Sequence, residues 1–325
     1  MHRAPKACDF AMNDQVSHEY ALTCDQIQVM LHQEETLYAC FSNYTRRNEN
    51  IPENTPVISE AWRQKICEWA FEVVDHFDYD RDIVSQTINY LDRYVSYSAD
   101  KGVYISRKEF QLAAVACLYI ATKMEGSHRS FQRQTPPLTI STLVELGRGI
   151  FSHKAIELME RRVLAVLGWR MHPPTSFRFI LHFMKLLNNS ERRKLLPKAI
   201  TDSMHDASRY LSELAVCVSS LSIECKPSTI AIASLLNAME CANPDYLNWE
   251  VRDSFLQEVS KVTNICTESD ELLSARAALK SMCPAMPTAE HNDVRECMES
   301  GSSSPVCVSG STSTHTNRKR NFAST

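Results

Sequence analysis

Glycine is scarce in this chain. Only 7 glycines occur in 325 residues, roughly a third of the usual ~7%. Folds that grip phosphate with glycine loops are excluded with them, as are turn-rich β-sandwiches. Gly147 and Gly149 form the nearest approach to a G-x-G, with no third glycine and no strand ahead of them, so a Rossmann or P-loop reading fails. None of the 12 cysteines is spaced C-x-x-C, which disfavours structural zinc. No apolar run reaches the ~20 residues of a membrane span, and the first thirty residues hold no uninterrupted apolar core of a signal peptide. Basic excess is absent too: 35 Lys and Arg stand against 39 Asp and Glu, a net charge of −4. The expectation is a soluble intracellular protein with reduced thiols, no cofactor or metal, and neither nucleic acid nor membrane as its partner.

What the chain does have is helical periodicity. Residues 25–42 carry Ile27, Met30, Leu31, Leu37, Tyr38 and Phe41 near i, i+3, i+4 spacing, which predicts one helix after a loose start over 1–24. Residues 43–58, rich in Asn and Pro, read as a connector. From Ser59, a plausible N-cap, the stripe Trp62, Ile66, Trp69, Ala70, Val73 and Val74 predicts a helix, followed by helices over 82–98, 106–125, 139–147 and 152–168. Ser106 and Glu109 form a capping-box pattern. The middle of that third helix, LAAVACLYIA, is apolar almost all round and predicts a central buried helix.

Gly168 sits where a C-terminal cap glycine belongs, and Pro173-Pro174 then breaks the chain. A second set of helices is predicted over 175–188, 190–219, 227–242, 248–264 and 268–282, and its third member again has a small apolar middle. The reading is all-α: an N-terminal leader (1–58), two five-helix units (59–171 and 172–283), and a disordered Ser/Thr/Pro-rich tail (284–325).

No catalytic constellation assembles from the sequence. His76, His128, His153 and His172 are scattered, and Asp78, Asp80 and Asp82 fail as a calcium loop, because Ile83 and Asn89 stand where glycine and glutamate are needed. They read as a polar turn with charges favourable to the next helix dipole. Two charges sit within apolar helices, Arg63 beside two tryptophans and Asp92 within NYLDRYV. Unpaired burial of either is costly, so the economical arrangement pairs them across two helices. Lys123 and Glu160, taken alone, read as ordinary helix-end and surface charges.

Four segments in order, WRQKICEWAFEVV, INYLDRYVS, QLAAVACLYIATKMEG and LMERRVLAVLGWR, resemble the cyclin box, and residues 173–283 are similar to the weaker C-terminal cyclin fold. The leader VMLHQEETLYACFSNY resembles that of D-type cyclins, and WRQKICEWAFEVVDHFDYDRD the version found in diatom cyclins. The resemblance implies a non-enzymatic regulatory subunit that binds and activates a cyclin-dependent Ser/Thr kinase, helps select its substrates and controls cell-cycle progression. It places Lys123 and Glu160 at the kinase. It implies a groove for Arg-x-Leu motifs of substrates and inhibitors at Trp62, Lys65, Ile66, Trp69, Glu72 and Gln111, with Trp69 as floor, Glu72 for the basic residue and Gln111 for the peptide backbone. Trp62 stands where methionine is usual and Lys65 where an aliphatic residue is usual.

The segment Leu22-Thr23-Cys24-Asp25-Gln26 is L-x-C-x-Q, short of the L-x-C-x-E with which D-type cyclins bind retinoblastoma-type pocket proteins. That binding is not expected. Arg318-Lys319-Arg320 is a short basic cluster, and the expected location is nuclear and/or cytoplasmic. An alternative double cyclin fold, the general transcription initiation factor that binds DNA and polymerase, is opposed by the net charge of −4 and the lack of a basic stripe. Truncation after Cys283 should leave the thermal unfolding of the chain unchanged; a lowered melting temperature would place the domain end further on.

Overall fold

A computed structural model describes residues 7–46, 57–129, 137–189, 196–242 and 245–283. Every regular element among them is a helix. A leader helix, α1 (Ala7–Thr36), precedes a first unit of α2 (Glu60–His76), α3 (Asp82–Asp100), α4 (Arg107–Arg129), α5 (Ile140–Leu146) and α6 (His153–Val166). The second unit comprises α7 (Ser176–Asn189), α8 (Lys198–Val216), the single turn α9 (Ser219–Ser222), α10 (Pro227–Cys241), α11 (Trp249–Thr263) and α12 (Asp270–Met282).

The start signals act as their chemistry dictates. Ser59, Thr139 and Ser152 each accept a hydrogen bond from the backbone N–H three residues on. At α4 the capping box closes both ways: Glu109 N donates to Ser106 Oγ (3.2 Å) and Ser106 N to Glu109 Oε2 (3.4 Å). The two alanine-rich helices are central, as their composition predicts. α4 packs against α2, α3 and α6 and buries Ala113, Ala114, Ala116, Cys117, Leu118, Ile120 and Ala121; α10 packs against α7, α8 and α12. Small side chains let several neighbours approach one axis closely.

Two expectations are corrected and a third is extended. The leader helix is not 25–42. It begins by Ala7, inside the segment expected to be loose, and ends at Thr36. Tyr20, Cys24, Ile27 and Leu31 form a stripe that packs on the core of the second unit, with Ile27 fully buried. Leu37, Tyr38 and Phe41 leave the helix, and the first unit holds two of them. The Arg93 guanidinium lies 4.9 Å over the Tyr38 ring, and Phe41 meets Tyr97 edge-on at 5.8 Å. The L-x-C-x-Q segment is therefore helical, with Thr23 buried.

The predicted helix 190–219 is also divided. Residues 190–195 lie outside the described residues, α8 starts after an extended Pro197 (ψ 138°), and it stops at Val216. Finally, the Asp80–Asp82 turn does more than favour a helix dipole. Asp80 pairs with Arg209 (2.8 Å), Arg81 bridges Asp75 (2.7 Å) to Glu213 (3.0 Å), and Asp82 lies 3.5 Å from Arg178, so the turn is an ionic clamp onto α7 and α8. The tail 284–325 and the loop at Pro136 lie outside the described residues.

Arg63 and Asp92 meet at the junction of the two units. Nε donates to Asp92 Oδ1 (3.0 Å) and Nη2 to Oδ2 (2.7 Å), with both residues at most 1% exposed. Arg63 also reaches across: Nη1 donates to the Val216 carbonyl (2.9 Å) and Nη2 to Ser222 Oγ (2.6 Å). A guanidinium thus satisfies an orphan carbonyl where α8 ends, favourable in both hydrogen bonding and dipole. Burial opposes the Arg63 charge, and the Asp92 carboxylate more than offsets it, holding the guanidinium pKa well above its usual value. The Tyr44 hydroxyl completes the cluster by donating to Asp92 Oδ1 (2.6 Å). Arg63→Ala strands the carboxylate and should cost about 3–5 kcal/mol of stability, read as a sharply lowered melting temperature; an unchanged melting curve would contradict the burial.

Candidate functional site

Lys123, on α4, and Glu160, on α6, come together because these two helices pack side by side. Lys123 Nζ donates to Glu160 Oε1 and lies 4.3 Å over the ring of Tyr119, one turn earlier. The lysine side chain is 45% exposed and the glutamate 14%. An ammonium has three donors and a carboxylate two acceptor oxygens, so the pair can bond to each other and still offer both a donor and an acceptor outward. Arg162 and Glu109 form a second, exposed α4–α6 pair at 3.2 Å.

The end of α6 presents a large apolar side chain that the sequence reading missed. Gly168 (φ 58°) and Trp169 (φ 60°) are both left-handed, and a Cβ added at Gly168 would meet nothing within 4 Å. Glycine is thus favoured there by backbone conformation rather than space. Trp169 pays for the same conformation, and its indole is 73% exposed. The visible signal was a tryptophan directly after a helix-ending glycine.

The predicted groove residues divide between two helices. Trp62, Lys65, Ile66, Trp69 and Glu72 follow one stripe of α2, and Gln111 stands in the second turn of α4, which packs beside it. Trp62, Ile66 and Trp69 are half-buried against the first core; Lys65 and Glu72 are exposed. Arg107, which the sequence reading did not name, places its guanidinium 4.7 Å over the Trp62 ring. The end of the stripe around Trp62 and Lys65 therefore carries two cations, while the Glu72 end carries the acid.

Among the described residues no group of three His, Cys, Asp or Glu side chains could hold a metal ion, and no helix is long and apolar enough to cross a membrane. Cys67, Cys117 and Cys217 are buried, and burial raises the Cys117 thiol pKa well above its usual value. Buried neutral thiols act as small apolar residues.

Comparison with known proteins agrees with this architecture. The cyclin N-terminal domain matches residues 25–172 and the cyclin C-terminal domain residues 174–311. Cyclin-D4-1 of Oryza sativa subsp. japonica is 30% identical over 234 residues, 70% of this chain and 59% of that one. Cyclin-B1-1 of Arabidopsis thaliana is 28% identical over 183 residues, 56% of this chain. The match spans only 37% of that relative's length. The X-ray structure of a viral cyclin from herpesvirus saimiri shares the fold, with a TM-score of 0.56 and 15% identity over 82% of this chain and 98% of that one. The chain belongs to the cyclin family.

An ion pair as exposed as Lys123–Glu160 contributes little to stability, typically about 0–1 kcal/mol. Lys123→Ala should therefore leave the melting temperature almost unchanged, in contrast to Arg63→Ala; a drop as large as that of Arg63→Ala would make the pair structural.

Proposed function

We propose that this cyclin is the regulatory subunit of a cyclin-dependent Ser/Thr protein kinase, performing no chemistry itself and acting in cell-cycle control. The observation that carries the reading is the Lys123–Glu160 pair, held on one accessible face by two packed helices of a cyclin fold. An ammonium there bonds orphan backbone carbonyls of a docked kinase, and a carboxylate bonds orphan amides. The exposed Trp169 indole adds the kind of apolar anchor that dominates interface energy. Docking against the mobile helix of the kinase carries its glutamate toward the ATP-positioning lysine and shifts the population to the active form.

Substrate selection belongs to the α2–α4 groove. Trp69 supplies its apolar floor and Glu72 its acid, so Arg-x-Leu motifs of substrates and inhibitors remain the ligand class, with Lys65 and Arg107 repelling basic residues at the other end. The proposed site of action is nuclear and/or cytoplasmic.

Affinity purification of the tagged chain identifies the kinase. Against that kinase, Lys123→Ala and Glu160→Ala each leave kinase groups unpaired in a desolvated contact. The loss is about 2–5 kcal/mol of binding, or roughly 30- to 4,000-fold in affinity. Folded variants that bind and activate normally would overturn this assignment.

A further inference from the structure

The first turn of α10 is capped by a residue from another helix. Pro227 occupies its N1 position, and Lys226 at the N-cap position makes no side-chain hydrogen bond to the turn. The acceptor comes instead from the end of α1. Glu34 Oε2 accepts from Ser228 N (3.0 Å) and Oε1 from Ser228 Oγ (2.6 Å). The Ser228 amide is one of the orphan donors that a helix's own cap residue would ordinarily satisfy. Glu34 is 5% exposed and Ser228 fully buried. Beside this contact, and open to solvent, Lys226 Nζ donates to Glu35 Oε1 (2.6 Å).

We propose that α1 is fastened to the second cyclin fold by a proton-gated latch, in which the Glu34 carboxyl caps α10 from outside and its ionisation weakens the docking of the leader helix.

The charges around Glu34 set the balance. From α1 itself comes Glu35, with His32 next to it; Lys226 faces it from the start of α10; and Glu271, of α12, acts on Lys226. Burial is the largest influence on the Glu34 carboxyl and pushes its pKa up to about 7; the Ser228 bonds and the Lys226 charge pull it down, and Glu35 adds to the rise. Either protonation state can cap the turn. The neutral acid accepts the Ser228 amide through its carbonyl oxygen and can donate its proton to Ser228 Oγ, so it keeps the geometry without a buried charge.

A carboxyl raised in this way binds more protons when docked than when released. Its contribution to docking is complete below its ordinary value of 4.5 and is lost as the pH rises through about 7. The leader is therefore held more tightly in mildly acidic solution than in mildly alkaline solution. The lever acts on the whole N-terminal segment, because α1 leads directly into the stretch that delivers Tyr44 to Asp92.

The test is hydrogen exchange on the full chain. Protection of the α1 amides over residues 18–36 is measured relative to the buried amides of α4, corrected for intrinsic rates. In the wild type this ratio should fall about tenfold between pH 6 and pH 8. Glu34→Gln, permanently neutral and still able to accept from Ser228 N, should flatten the profile. Glu35→Gln, which removes the exposed pair and the smallest of the influences on Glu34, should keep most of the fall. A flat wild-type profile, or an equal fall in Glu34→Gln, would overturn the latch. Titration of the Glu34 side-chain carboxyl by 13C NMR in the wild type makes the test independent of how any variant folds. A midpoint near 7 supports the proposal, and one at the ordinary carboxyl value overturns it.

Discussion

The structure depends most on one buried guanidinium. Arg63 is fully buried, and so is the carboxylate it meets. Taking two such charges from water is expensive, and their attraction compensates only when the remaining donors and acceptors are also satisfied. That requirement explains what surrounds the pair. Asp92 gains Tyr44 from the leader segment, and Arg63 gains the Val216 carbonyl and the Ser222 hydroxyl from the second unit. A single charge demanding full coordination thus draws the leader segment, α2, α3 and the end of α8 to one point. The pair does not show that the protein is unusually stable, since apolar packing can replace such pairs. It does make separation of the units costly, because separation would leave part of a buried charge uncoordinated.

The other contacts between the units are arranged around that point and are chemically different. The clamp of Asp75, Arg81, Glu213, Arg209 and Asp80 is partly exposed, so solvent and salt weaken it. Glu60 of α2 accepts from Ser219 N (2.8 Å) at the start of α9, and Asn43 and Arg46 both reach Glu224. Each is a modest contribution, and together they fix orientation. Residues 37–46, which read as the end of a helix and the start of a connector, are ordered against the first unit and α9 because their side chains are partners for groups that would otherwise be unsatisfied.

The elements legible in the sequence were those set by local chemistry. Ser59 and Ser106 marked helix starts, and the alanine-rich stretches marked the two central helices, because capping and amphipathic period act within a few residues. Arg63 and Asp92 stood out as a pair because burying either alone is prohibitive. The errors came where a distant partner decided the outcome. Tyr38 and Phe41 fit a helical stripe equally well, and the partners they meet outside it, Arg93 and Tyr97, lie far away in sequence. The carbonyl at the end of α8, that of Val216, is bonded by Arg63, which lies more than a hundred residues away in sequence. The Asp80–Asp82 turn could not reveal its role without Arg178 and Arg209 opposite. Arg107 over Trp62 was invisible for the same reason: a single cation has no periodicity to betray it.

Two ion pairs of the first unit are built from the same chemistry, and exposure is what separates them. Arg63 is surrounded on every side by its own chain, so nothing outside can use it. Lys123 is nearly half exposed, its partner Glu160 much less so. A pair with so exposed a lysine is expected to add little to stability, and the aromatic ring beneath Lys123 helps to fix where the ammonium points without consuming its donors. Rigid placement on two packed helices means that little side-chain entropy remains to be lost when a partner docks. A pair that contributes little to its own fold yet is held in position suits an interface better than a core. The same logic applies to Trp169, whose left-handed backbone and exposed indole add strain and open apolar surface to the free protein. A surface laid over the indole would bury that apolar area, while the backbone strain would remain.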